Sequence, residues 1–285
     1  MDSDSKKSQT EYDSKAMVAA SDAPLFISHE PLASVDENTP EIVPLVIHNI
    51  SILFQNQDFV VVHKPPGLHV HQPEMARRRV PREMTLLWTL RRQIEKYLYP
   101  VHRLDVATEG VLVMAFDGKI AGKLQAEFQG GSVQKVYHAI VRGWTEDEGR
   151  IDLPLERDSN GTLADAVTNY KTLARVELPH AVGKKYPTAR YSLVEARPET
   201  GRWHQLRRHF GRKHHPIVGD REHGDSHHSR FFRETLGLPG LWLRAADLSF
   251  TYQGVNHQFA APLTDRWILA GEKLGFAMKQ VLEAK

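Results

Sequence analysis

Cysteine is absent from all 285 residues. Its absence excludes disulfides, thiolate catalysis and any Cys-ligated zinc or iron–sulfur centre. No apolar run approaches the roughly 18 residues of a membrane span. Behind the charged start at Met1–Lys7 there is no apolar segment of the kind a secretory signal uses. The sequence therefore reads as that of a soluble, cytoplasmic protein with no membrane partner. A Gly-rich phosphate loop is missing, as is any His-Glu-x-x-His spacing, so nucleotide-driven phosphoryl transfer and the commonest zinc hydrolysis have no motif to stand on. Internal repeats are missing too.

What is present is a chain long and apolar enough, at 41% hydrophobic, to bury one full core. Its formal charge of +2 is unevenly laid out. Residues 1–45 carry three lysines against nine acidic residues, a net −6, which leaves +8 on the remainder. That leader is rich in Ser, Asp and Pro with little periodicity and reads as mostly disordered. The expected organisation is thus an acidic N-terminal extension, 1–45, and one domain over 46–285. A basic body points to a polyanionic partner, although the same charge also serves solubility.

Order of the elements follows from apolar periodicity. Ile50–Phe54 and Phe59–Lys64, joined by a polar turn, predict a hairpin that Pro65-Pro66-Gly67 ends abruptly. Thr85–Leu98 predicts a helix with Leu86, Leu87, Leu90, Ile94 and Leu98 on one face and Arg91, Arg92 and Lys96 on the other. With Arg77-Arg78-Arg79 and Arg82 just upstream, the basic face is either solvated or turned to phosphate. Ile120, Leu124 and Phe128 mark a second helix, closed by Gly130-Gly131. Strands are predicted over Ser132–Trp144, Val167–Leu178, Thr188–Glu195, Leu241–Tyr252 and His257–Ala261, with a C-terminal helix over Thr264–Lys279 burying Trp267, Ile268 and Leu274. A further helix starts near Thr200-Gly201, with Trp203, Leu206 and Phe210 as its inward stripe and Arg207 at the border of the buried face. An Arg in that position needs an acidic partner or a phosphate.

Two clusters carry chemistry. In His102-Arg103-Leu104-Asp105-Val106-Ala107-Thr108-Glu109-Gly110, an Asp sits on a loop that leads into the apolar run Val111–Ala115. A buried strand holding a loop is where a rigid scaffold presents a reactive group, though an Asp there can also merely cap a turn or pair with Arg103. On the strand Ser132–Trp144, Lys135 and Tyr137 share a face, as core filling or as a ring for a base and a charge for a phosphate. The second cluster is His209, His214, His215, His223, His227 and His228. Asp220 or Asp225 could complete a zinc site there, but the ligand spacing matches no familiar metal motif, and the structural reading is preferred.

Taken together, four segments resemble the pseudouridine synthases of the ribosomal large subunit synthase A type. His102-Arg103-Leu104-Asp105 with Thr108-x-Gly110 is similar to that family's catalytic loop, and Val62-His63-Lys64-Pro65-Pro66-Gly67 to its leading motif. Lys135-Val136-Tyr137 resembles its Lys-x-Tyr strand, and Thr200-Gly201-Arg202-Trp203-His204-Gln205-Leu206-Arg207 its Thr-Gly-Arg motif. Order and spacing agree from about residue 46 to about residue 263. A narrower likeness, in Tyr137–Trp144, Tyr186–Tyr191, Gln205–His209 and Val218–Asp225, is to the branch that modifies uridine 65 of tRNA.

The resemblance implies an α+β fold: a single catalytic domain with a central mixed, mainly antiparallel sheet flanked by helices and loops. It implies an isomerase that turns a uridine of RNA, expected to be tRNA, into pseudouridine without a cofactor or metal. The family's frequent extra N-terminal RNA-binding module is not expected in so short and acidic a leader. Asp105 is the implied catalytic group. Arg103 is expected to fill the space the flipped base leaves or to hold its phosphate. Tyr137 is expected to stack on the uracil over an apolar floor from Leu206, and Arg207 to hold Asp105 through a two-point contact. Glu109 departs from the family's usual Ser; it either crowds Asp105 or points away into solvent. A ribosomal RNA substrate, an RNA-binding protein without activity and a metal-dependent hydrolase built on the histidines are the competing readings. Oligomeric state is not readable, and a monomer is consistent with the sequence.

Overall fold

The computed structural model describes residues 49–72, 80–157 and 161–283. The leader 1–45 and Arg77-Arg78-Arg79, for which expectations were stated, lie outside the described residues.

Strands β1 (Ser51–Gln55) and β2 (Phe59–Lys64) form the expected antiparallel hairpin. Helix α1 (Leu86–Ile94) follows, then the short strand β3 (Tyr99–Pro100), the loop that carries Asp105, and β4 (Glu109–Ala115). Helix α2 (Gly118–Gly130) leads to β5 (Gln134–Arg142), β6 (Glu148–Asp152), the small pair β7 (Leu155–Glu156) and β8 (Leu163–Ala164), and the long strands β9 (Val167–Leu178) and β10 (Ala189–Pro198). Helices α3 (Gln205–Arg212) and α4 (Ser226–Arg230) precede β11 (Leu243–Tyr252) and β12 (Val255–Ala260), and α5 (Asp265–Leu274) and α6 (Met278–Glu283) close the chain.

The main sheet runs β1-β2-β4-β11-β5-β10-β9-β6, with β12 on β11 and β3 on β4. All its pairs are antiparallel except β4 with β11, so it is mixed and mainly antiparallel, as the resemblance implied. The central strands are continuously apolar because both faces are covered. Phe59, Val61, Val111 and Val113 pack toward α2 and Leu124. Their alternates Val60, Val62, Leu112 and Met114 pack toward Leu86 and Leu90 of α1. Farther along the sheet, Leu206 and Phe210 of α3 pack on Ala139, Val141, Val194 and Ala196. Trp267 of α5 packs on Ile140, Tyr191 and Trp242.

The two helices longest in prediction are shorter in fact. α1 ends at Ile94 because Glu95 turns left-handed, φ 53°. The predicted C-terminal helix is broken by Gly275 (φ 78°) into α5 and α6, and Ala270 and Gly271 are buried where Ile268 is only partly so. Among the described residues no helix is long and apolar enough to cross a membrane.

Candidate active site

The parallel junction of β4 with β11 sets the geometry of the Asp105 loop. Gly110 has φ +126°, and a Cβ there would fall 2.0 Å from the Ala245 carbonyl oxygen, so only glycine admits this approach. The loop is pinned from below by the Lys64-Pro65-Pro66-Gly67 turn. The Gly67 N–H donates to the Val106 carbonyl at 2.8 Å, and Lys64 Nζ donates to Val106 O at 3.0 Å and Pro65 O at 2.9 Å. Lys64 is completely buried. Burial drives its pKa down to about 7 against the opposing pull of Asp105 and Glu109. The Thr108 N–H closes the loop on Asp105 O at 3.0 Å.

Just upstream, His102 Nε2 accepts the Val113 N–H at 3.0 Å while its ring stacks on Phe128, centroids 4.5 Å apart. Burial, helped by the charge of Lys135, lowers its pKa to about 3, so it stays neutral.

Above the loop lies a cleft of roughly 590 Å³. Arg103, Asp105, Tyr137, Leu206 and Arg207 all line it, as do Thr108, Lys135, Trp203 and His204. The structure thus brings together all five residues singled out from the sequence. Arg103 is exposed, Leu206 is buried at 6%, and Asp105 keeps 21% of its side chain accessible. Burial, followed by the charge of Asp105, pushes the Tyr137 hydroxyl above its ordinary value of 10.0, so it stays protonated. Burial also lowers Lys135. Thr108 Oγ1 is buried with no hydrogen-bond partner among the described residues.

The hydrogen bonding of Arg207 corrects the expectation. Its Nη1 reaches Asp105 Oδ2 at 3.2 Å, a single contact. The two-point contact goes instead to Asp220, Nε to Oδ2 at 2.7 Å and Nη2 to Oδ1 at 2.8 Å. Nη2 also reaches Glu222 Oε1 at 3.2 Å, and Nη1 lies 2.6 Å from His204 Nε2. Arg207 is buried, not bordering, and although burial opposes it, the Asp220 and Asp105 carboxylates raise its pKa above the ordinary 12.5. Asp220 Oδ1 also accepts the N–H groups of Glu222 and His223, at 2.9 and 3.1 Å, which fixes the turn that presents it.

Two further expectations are revised. Trp203 does not point inward. The helix begins only at Gln205, after His204 adopts a left-handed φ of 48°, which leaves Trp203 39% exposed on the cleft wall with its ring stacked 3.8 Å from His204. Glu109 points away from the cleft into the protein interior, not into solvent. It is 2% exposed, bonded to Trp267 Nε1 and to Arg266 Nη1 at 3.1 Å, with the Thr264 hydroxyl at 3.3 Å.

The histidines from 209 to 228 do not converge on one point. His209 is engaged by Thr168 and Leu153, His215 by the Arg142 carbonyl and His228 by Tyr191, while Asp225 caps α4 and pairs with Arg142. On the basic face of α1, Arg91 and Arg92 lie over the rings of Tyr97 and Trp88, and Lys96, past the helix end, lies over Phe116.

Residues 58–212 match the RNA pseudouridylate synthase family, and the chain belongs to that family. Among curated relatives, tRNA pseudouridine synthase C of Vibrio vulnificus is 43% identical over 213 residues, covering 71% of this chain and 85% of the relative. Its counterpart from Salmonella typhimurium is 38% identical over 242 residues, covering 80% and 90%. Among solved structures, human RNA pseudouridylate synthase domain containing 4 superposes with a TM-score of 0.61 at 25% identity, over 79% of this chain and 93% of that one. Human RNA pseudouridylate synthase domain containing 1 gives a TM-score of 0.60 at 25% identity, over 76% and 84%.

Proposed function

We propose that this enzyme isomerises a uridine of tRNA, uridine 65, to pseudouridine, with Asp105 as the catalytic carboxylate and residues 46–285 as the catalytic domain. One observation carries the reading: an accessible carboxylate, hydrogen-bonded by a buried guanidinium, faces a cleft walled by a Tyr and a Leu. The reaction breaks the glycosidic bond, turns the base and rejoins it through carbon. It needs a base out of its stack, held between apolar surfaces, beside an anionic group. Tyr137 and Leu206 supply the two surfaces. Arg103, exposed at the cleft, is suited to the backbone phosphate or to the place the base vacates. The orphan hydroxyl of Thr108 has a use once a nucleotide oxygen or N–H enters.

Asp105 acts on the sugar either as a nucleophile or by taking a proton. Arg207 in both cases aims it with a charge-assisted hydrogen bond, and Asp220 keeps Arg207 in place. The tRNA substrate rests on the relatives named above, whose likeness runs through most of both chains. Mapping pseudouridine in tRNA and ribosomal RNA from a strain lacking the gene tests the reading. Loss at uridine 65 of tRNA alone is expected. Loss in ribosomal RNA instead, or no loss anywhere, overturns it.

A further inference from the structure

Beside Asp105, the cleft gathers two imidazoles and a carboxylate in the geometry of a metal site. His204 Nδ1 lies 3.1 Å from His223 Nε2 and 3.5 Å from Glu222 Oε2. The three donor atoms all fall within 4.8 Å of one another. Two donors bound to one tetrahedral zinc ion at about 2.0–2.1 Å lie about 3.3 Å apart. The two shorter distances bracket that value, and both converge on a nitrogen with at most one proton to give. A hydrogen bond from it therefore satisfies one neighbour and leaves the other.

Three carboxylates, Asp105, Asp220 and Glu222, meet on Arg207. Oε1 of Glu222 is taken by Arg207, which leaves Oε2 turned to His204.

We propose that His204, Glu222 and His223 bind a divalent transition-metal ion of the zinc class, and that its binding lowers the activity by changing what His204 offers to Asp105. The first half stands on the ligand geometry; the second rests on the function proposed above. An Arg can only donate, so with Arg207 Nη1 at 2.6 Å, His204 Nε2 accepts and Nδ1 carries the ring proton. A metal on Nδ1 displaces that proton, and Nε2 takes one up, so the ring stays neutral. Nε2–H and the Arg207 N–H are then two donors face to face, and the contact is lost. The carboxylate nearest to Nε2 is Asp105, whose Oδ2 lies at 3.7 Å. The metal form thus replaces a hydrogen bond that braces Arg207 with one that occupies the catalytic carboxylate.

The test uses the full chain stripped with chelator. Zinc is titrated by calorimetry into the unsubstituted protein, His223→Gln and His227→Gln, the last an exposed histidine outside the cluster. The unsubstituted protein and His227→Gln should share one site that His223→Gln weakens by at least roughly tenfold. Cobalt(II) in the unsubstituted protein should show the intense visible bands of a tetrahedral ion. Pseudouridine yield should fall severalfold as zinc fills the site, recover with chelator, and no longer respond in His223→Gln. Equal zinc affinity in the unsubstituted protein and His223→Gln, or a weak octahedral cobalt spectrum, overturns the site. Full occupancy with unchanged yield overturns the link to Asp105. A metal-free protein that makes no pseudouridine contradicts the proposed function, while calorimetry still judges the site.

Discussion

Arg207 gives two of its nitrogens to Asp220 and shares a third between Asp105 and His204. The guanidinium is therefore oriented by a residue that is buried behind it, and Asp105 receives one well-aimed hydrogen bond. This division of labour lets the accessible carboxylate keep its remaining lone pairs for chemistry while the buried one carries the structural load.

Replacing Asp220 by Ala should consequently damage both stability and activity. Breaking a buried ion pair from one side costs about 3–5 kcal/mol, and the loss here should lie at the lower end because Arg207 keeps Asp105 and Glu222. Denaturant unfolding should show a loss in that range, and turnover should fall more than tRNA affinity, since Arg207 loses its aim. An Asp220→Ala protein with unaltered unfolding free energy would contradict the assignment.

Glu109 makes a separate test of what is structural. Its carboxylate joins the start of the strand after the Asp105 loop to Arg266 and Trp267 of α5. Substituting Ser, the residue the family usually has there, should destabilise the fold by about 3 kcal/mol, at the lower end for a broken buried pair. Arg266 softens the loss because it retains the Leu241 carbonyl at 2.7 Å and the Pro239 carbonyl at 3.2 Å. If Glu109→Ser abolishes catalysis at full stability, the carboxylate belongs to the site instead.

Lys64 should leave a signature in the pH dependence of stability. Its folded pKa is pushed down to about 7 from 10.5 by burial. Between those values the unfolded chain holds the proton and the folded one has released it, so stability rises with pH across that window. Below it both states are protonated, and the penalty is complete and constant. Lys64→Met removes the effect. The unfolding free energy of the unsubstituted protein minus that of the variant should therefore climb from pH about 7 toward 10.5 and be level below. Parallel curves would contradict the buried, low-pKa lysine.

The central strands and the position of the Asp105 loop were legible because a sheet covered on both faces writes itself as apolar runs, and Val111–Ala115 is such a run, whereas the short or polar strands β3, β6, β7 and β8 carry no such run and were not foreseen. The convergence of Asp105, Tyr137, Leu206 and Arg207 came from motif order rather than from periodicity, since these residues are spread over a loop, a strand and a helix distant in the sequence. Asp220 was not recognisable as the partner of Arg207, because a carboxylate in a turn gives no sign of which distant cation it will meet.

Trp203 was misread for a local reason: the left-handed His204 delays the helix and moves the residue out of the apolar stripe. Neither alternative for Glu109, crowding Asp105 or pointing into solvent, includes its buried place, because its cation lies 157 positions away. Of the His204–Glu222–His223 group only His223 belongs to the histidine cluster of the sequence; His204 lies 19 positions away on another segment, while His209 of that cluster is committed to Thr168 and Leu153.

The most direct measurement is pseudouridine formation on unmodified tRNA by purified Asp105→Asn, with tRNA affinity and thermal unfolding recorded on the same preparation. Asn keeps the shape of the loop and removes the charge that Arg207 faces. The variant should unfold close to the unsubstituted temperature, bind tRNA with similar affinity and form no detectable pseudouridine. Pseudouridine made by the Asn protein would show that the reaction runs through another group.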